Sequence, residues 1–211
     1  MLCYRIKKII FIPLLLCIIS CSGEHQKVTD KRDNEKAGRS EGVPEINNSL
    51  NYSKEEGVVG VFDVPAMLCL SILDSATMKD VANKVSEGYK LLEKEIREIG
   101  AEKDGPAGQI NYNNDPTNFK FECLYLIKSI PKKQPEKSKI VVLETGKMLV
   151  YNYYGPYDKL YTAYNMIRDF CVIAKLAQNG PMREFYVTDP ATDSNSEKWL
   201  TRIIVPVRKG A

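Results

Sequence analysis

From about residue 57 the apolar positions follow two alternating periods, and the switches between them mark the elements. The run MLCLSIL, residues 67–73, is almost wholly apolar after Pro65 and predicts a buried strand. Met78, Val81, Val85, Tyr89, Leu92, Ile96 and Ile99 then recur at spacings of 3, 4, 4, 3, 4 and 3, the signature of an amphipathic helix. Thr77 and Asp80 form a candidate capping pair at its start, and Gly100 marks its stop. After Gly105-Pro106 come AGQINYN and, past Asp115-Pro116, the strand FKFECLYLIK. The same order returns further on. KIVVLET and KMLVYNYY predict a hairpin around Gly146. A helix from Pro156 to Gln178 carries Leu160, Tyr164, Ile167, Cys171 and Ala174 at spacings of 4, 3, 4 and 3. Gly180-Pro181, the strand MREFYVT, Asp189-Pro190 and the strand KWLTRIIVPV follow.

Each half therefore reads strand, helix, Gly-Pro, strand, Asp-Pro turn, strand, and the register agrees as well. Tyr89 precedes Gly105 by 16 residues, and Tyr164 precedes Gly180 by 16. This pattern predicts an α+β fold: duplicated βαββ modules related by a pseudo-two-fold axis, with antiparallel sheets and two long helices around a central groove. Neither half covers its sheet alone, so their junction is the place for a cleft.

Ahead of this domain the pattern differs. Arg5, Lys7 and Lys8 precede an uncharged apolar run, Ile9 to Ile19, of 11 residues. A bilayer-spanning helix needs about 20, so the run fits a secretory signal better than a permanent span. Ile18-Ile19-Ser20-Cys21 resembles the bacterial lipobox, which implies a signal peptide over 1–20 and lipidation of Cys21. Residues 21–56 hold few large apolar side chains and no sustained period, the composition of a solvated tether, and 57–211 form the domain. The expected location is the bacterial cell envelope, outside the cytoplasm, on a membrane held through the lipid anchor.

Charge narrows the partners. Setting aside the three basic residues of the signal leaves 27 Lys and Arg against 27 Asp and Glu. With no nucleic-acid-binding signature besides, nucleic acid is not an expected partner. The one histidine, His25, lies in the tether, which excludes a catalytic triad in the domain and argues against a His-ligated metal. Cys69, Cys123 and Cys171 are spaced 54 and 48 residues apart, which fits no metal motif. They permit one disulfide or none, and their apolar neighbours suit small buried hydrophobes. No cofactor or metal is expected.

Candidate chemistry gathers in YNYYGPYDKLYTAY, residues 151–164, which holds six of the twelve tyrosines. A tyrosine is apolar in body and polar at its tip, so it suits a pocket wall as well as a core. Gly155-Pro156-Tyr157, Gly180-Pro181, Tyr186, Asp189-Pro190 and Pro206-Val207, in that order, resemble the GyrI-like small-molecule-binding domain, related to the effector-binding domain of AraC-type and multidrug-responsive regulators. The match is clearest over residues 139–209.

The resemblance implies a groove for hydrophobic, often cationic or planar ligands, with aromatic walls and a carboxylate at its base. Strand alternation supplies candidates: Glu184 shares a face with Met182 and Tyr186, and Glu122 with Lys120, Leu124 and Leu126. Glu184 is the first choice for the carboxylate and Glu122 the second. Tyr151, Tyr154, Tyr157, Tyr186 and Trp199 are candidates for the wall, and Tyr164 is assigned to packing. Arg202 stands where relatives carry an acidic residue, which points away from cation selectivity or toward a pair with Glu184.

The leading function is capture or sensing of a small hydrophobic or amphipathic ligand. One alternative is a hydrolase with Glu184 as general base; enzymatic activity is left open. The other is an envelope protein-interaction module using Phe170, Val172, Ile173 and Leu176, with an unknown protein partner.

Overall fold

The computed structural model describes residues 59–210. The expected signal peptide and tether, with Cys21 and His25, lie outside the described residues. Nine strands and two helices occur among those described: β1 (Val59–Val64), β2 (Met67–Ala76), α1 (Val81–Ile99), β3 (Lys103–Asn111), β4 (Phe119–Ile127), β5 (Lys139–Leu143), β6 (Gly146–Tyr154), α2 (Leu160–Ile173), β7 (Leu176–Gln178), β8 (Met182–Tyr186) and β9 (Leu200–Lys209). The strands pair in the order β1-β6-β9-β8-β3-β4-β2-β5, every pair antiparallel, and the short β7 adds to β9.

The expected hairpin of KIVVLET with KMLVYNYY does not form. β5 pairs with β2, whereas β6 lies between β1 and β9, toward the other end of the order. Only Glu144 and Thr145 separate them. The equally short Pro65-Ala66 link joins β1 at one edge to β2 near the other. Two such brief connections require the ends of the sheet to approach each other, so the sheet curls into a half-barrel. Thr145 ties the two links together by donating its hydroxyl to the Val64 carbonyl at 2.7 Å.

Alternation along the strands then sorts side chains between two faces. Inside the curl, Met67 and Cys69 of β2, Leu124 and Leu126 of β4, Met148 and Val150 of β6, Phe185 of β8 and Ile204 of β9 form one buried cluster. The outer face carries the helices. α1 packs over β2 and β4 with Val85, Leu92, Ile96 and Ile99 against Leu68, Leu70, Phe121 and Cys123. α2 packs over β6 and β7, where Leu160, Ala163 and Ile167 meet Leu149, Tyr153, Ile203 and Val205. Each fully buried Leu, Ile or Phe contributes about 1.5–3 kcal/mol. Because the helices sit over outer strands, the two central strands β3 and β8 lie between their footprints.

Helix limits follow local chemistry. Gly100 closes α1 in the left-handed region, φ 67°, and its N–H reaches the Ile96 carbonyl. At the start, the Thr77 hydroxyl donates to the Asp80 carboxylate at 2.8 Å, and no side chain caps a backbone N–H. α2 stops at Ile173 rather than Gln178 because Lys175 turns to φ 51° and Leu176–Gln178 is drawn into pairing with β9. At the exit of β6, Gly155 has φ 147°, and a Cβ there would stand 2.5 Å from the Tyr153 hydroxyl oxygen, so only glycine fits without displacement. Among the described residues all three cysteines are free, and no helix is long and apolar enough to cross a membrane.

Candidate functional site

The register sets one row of residues across the outer face: Ile72, Cys123, Gln109, Glu184, Ile203 and Tyr151. Gln109 and Glu184 occupy its middle, opposite each other on β3 and β8. Directly opposed side chains on one face stand about 5 Å apart at Cβ, so these two share one space between the helices.

Glu184 is only 3% exposed. Its Oε1 accepts the Tyr164 hydroxyl at 2.7 Å and the Asn111 amide at 2.8 Å, and its Oε2 accepts the Tyr186 hydroxyl at 3.2 Å. Tyr164 comes from α2, Asn111 from β3 and Tyr186 from β8, so three elements converge on one carboxylate. None of the ion pairs among the described residues includes Glu184. Burial raises its pKa above the ordinary glutamate value, and the bonds from Tyr164, Tyr186 and Asn111 offset that only in part. Burial, reinforced by the nearby carboxylate, holds the phenols of Tyr164 and Tyr186 well above their usual range. Both therefore remain protonated donors at neutral pH.

Aromatic rings surround this centre. Tyr157, in a short 3-10 turn between β6 and α2, meets the Tyr186 ring edge-on with centroids 5.4 Å apart and the Trp199 ring at 5.0 Å. Burial pushes the Tyr157 phenol up to about 12. On the α1 side, Tyr89 contacts the Tyr125 ring edge-on at 5.7 Å and donates its hydroxyl to the Gly108 carbonyl at 2.7 Å. Trp199 Nε1 donates to the Asp193 carbonyl at 2.8 Å, which fixes the indole plane.

Among the expected site residues, Glu184, Tyr186, Tyr157 and Trp199 are thus brought together. Tyr151 lies at the far end of the same row, on the α2 cluster. Tyr154, Glu122 and Arg202 face the other side of the sheet, inside the curl. Arg202 does not pair with Glu184: it stands opposite Phe185 and donates its Nε to Asn152 at 2.8 Å. Glu122 accepts the hydroxyls of Ser71 and Tyr112, both at 2.5 Å. Of the apolar residues expected at an interaction surface, Val172 and Ile173 are exposed, while Phe170 and Leu176 pack on the α2 cluster.

Sequence reasoning did not place Asn111, Gln109 or Tyr89 at the site, and it gave Tyr164 to the core. The signal available was the shared spacing of Tyr89 and Tyr164 before their Gly-Pro turns. Among the described residues, no group of His, Cys, Asp and Glu is arranged to hold a metal. Chemically, the centre can serve as counter-ion to a buried cation or take up a proton.

Comparison with solved structures gives the same architecture at low sequence identity. The C-terminal domain of EcmrR matches at TM-score 0.65 and 16% identity, covering 72% of this chain and 98% of that one. A hydrolase from Listeria innocua matches at TM-score 0.56 and 14% identity, covering 72% and 93%. SAV2435 bound to tetraphenylphosphonium matches at TM-score 0.51 and 16% identity, covering 72% and 94%. No curated protein matches the sequence. A family model fits residues 64–208, which span both helices and both central strands, and the chain accordingly belongs to the GyrI-like small molecule binding domain family.

Proposed function

We propose that this domain captures an amphipathic cation, with the charge held against Glu184 and the apolar body among the rings of Tyr157, Tyr186 and Trp199. The observation that carries the reading is a buried carboxylate, bonded by three neutral donors and, among the described residues, joined to no basic side chain. Such a group is costly as an anion unless a positive charge arrives. Arg202 does not oppose the reading, because it lies behind the sheet. The relative bound to tetraphenylphosphonium supports a lipophilic cation as the ligand class.

Trp199 is the only tryptophan, so its emission reports on the site. Titration with tetraphenylphosphonium is expected to change that emission saturably. Affinity should rise with pH and level off once Glu184 is ionised, because the raised pKa leaves part of the carboxyl neutral at lower pH. Unchanged emission, together with no thermal stabilisation, would remove the proposal.

We further read the two halves as copies related by a pseudo-two-fold axis. In support, β2, β4 and β3 run outward to inward on one side of the sheet as β6, β9 and β8 do on the other. The pairs on either side of Gln109 and Glu184, namely Gly108 with Phe185 and Ile110 with Arg183, exchange under the same operation.

The anchor at Cys21 belongs to the same proposal, on the strength of the basic and then apolar leader. Cys21→Ser is expected to move the protein from the membrane to the soluble fraction of a bacterial host, and retention on the membrane would eliminate the anchor. A hydrolytic reading uses the same carboxylate as general base. It is favoured by Oε2, which holds one bond of 3.2 Å and so keeps an acceptor position for a water proton. It requires turnover that is lost in Glu184→Gln.

A further inference from the structure

The carboxylate sets the orientation of two neighbouring amides. Asn111 bonds Glu184 Oε1 at 2.8 Å, and only its amide N–H group can face a carboxylate oxygen as donor. Its own Oδ1 is thereby turned to Gln109, whose Nε2 donates to it at 2.7 Å. Gln109 must therefore present Oε1 on its other side. That oxygen has no hydrogen-bond partner among the described residues, although the residue is only 5% exposed. Burying a carbonyl oxygen without a donor is unfavourable, and an N–H supplied by a ligand would relieve it.

Gln109 lies directly opposite Glu184 on the same face. Gln109 Oε1 and the once-bonded Glu184 Oε2 are thus two acceptors on facing residues of one sheet face, one neutral and one charged. A quaternary or phosphonium cation satisfies the charge but has no hydrogen to give the amide. An ammonium or amidinium offers two or more N–H bonds from one charged centre, which is what this pair of acceptors can take.

We propose that the site selects cations bearing N–H donors, primary or secondary ammonium or amidinium, over quaternary cations, and that Gln109 Oε1 is the residue atom that makes the distinction. This rests on the cation reading above, but it makes a separate demand. An ammonium loses more hydration on burial than its trimethylated form, so without a second acceptor the preference runs toward the quaternary ligand.

The test is a matched pair of probes, biphenyl-4-ylmethylammonium and its N,N,N-trimethyl derivative, titrated into the purified protein at neutral pH by calorimetry. The ammonium is expected to bind at least about 10-fold tighter, the worth of one good hydrogen bond. In Gln109→Met, which keeps the length and removes the acceptor along with the amide donor to Asn111, the preference for the ammonium should disappear, leaving the trimethyl probe bound equally or more tightly. Equal affinity, or tighter binding of the trimethyl probe, overturns the inference while leaving the cation reading in place. A preference that persists in a folded Gln109→Met protein overturns Gln109 as its source. Failure of both probes to bind overturns the inference and the cation reading together. Should the variant fail to fold, the wild-type ratio decides the selectivity on its own.

Discussion

Replacing Glu184 by Gln is expected to weaken tetraphenylphosphonium binding about 100-fold and, in the same protein, to raise the melting temperature at neutral pH. The two effects have one cause. Removing one member of a desolvated charge pair costs about 2–5 kcal/mol of binding. Without ligand, the same charge is a burden, because burial disfavours the anion and raises its pKa despite three hydrogen bonds. A carboxyl whose pKa is higher folded than unfolded binds more protons in the folded state across the window between the two values. Its contribution to stability is therefore complete below the unfolded pKa and is lost as pH rises through the folded one.

Glutamine lacks that decline and keeps most of the contacts. Its Oε1 can accept from Tyr164 and Asn111 as the carboxylate does, and its Nε2 can donate to the Tyr186 oxygen. The excess stability of Glu184→Gln should grow with pH and reach roughly 3 °C in Tm for each kcal/mol of desolvation relieved. Thermal melts from pH 4 to 8 decide the matter. A variant less stable than wild type at every pH would mean that the carboxylate holds the fold together rather than waiting for a charge.

The second large effect has the opposite sign. Glu95, on the inner face of α1 and only 3% exposed, accepts the backbone N–H groups of Glu136 at 3.1 Å, Lys137 at 2.7 Å and Ser138 at 2.8 Å, together with the Ser138 hydroxyl. The segment from β4 to β5 is thereby pinned to the helix. Burial pushes this carboxyl upward, yet the bonds from Ser138, Lys137 and Glu136 overcome it, and its pKa lies below the ordinary value. Glu95→Ala should cost roughly 3 kcal/mol in urea unfolding at neutral pH, since it strips several donors of a charged acceptor at once. Amide hydrogens at 136–138 should exchange faster in the variant.

Glu95→Gln should fall between the two, with one amide oxygen left to accept. A depressed folded pKa gives stability that is present above the unfolded value and disappears as pH falls through the folded one. The gap between wild type and Glu95→Gln should accordingly close toward acid. A gap that stays constant down to low pH would show that the charge has no part in it. Two buried glutamates on one domain thus have opposite signatures: one surrounded by neutral side-chain donors and joined to no cation among the described residues, the other saturated by backbone N–H.

The chain's own pattern was enough for the elements that build the site. Period 3.6 located α1 and fixed its end, because its apolar stripe stops at a glycine free to turn left-handed, whereas the helix begins at Val81 and leaves Met78 in the turn before it. Period 2 put Glu184 with Met182 and Tyr186, and Glu122 with Leu124 and Leu126, on shared faces of their strands. Alternation within a strand is a local steric fact, so one sequence suffices to read it.

Which face of one strand matches which face of another is not local. Glu122 and Glu184 turn to opposite sides of the sheet because of pairings set by strand register. The missed β1 and β7 have the same explanation, since each is a strand only by virtue of the partner it pairs with. So has the hairpin that does not form: a two-residue link normally folds back, but here curling brings the far edge of the sheet within reach.

Tyr164 shows the limit most clearly. Helical spacing placed its ring on the buried stripe, where it does pack, yet could not reveal that its hydroxyl meets a carboxylate 20 residues further on. Side-chain period fixes direction relative to one's own backbone. The partner at the end of that direction is set by how the curled sheet and its two helices pack, and only the tertiary structure contains that information.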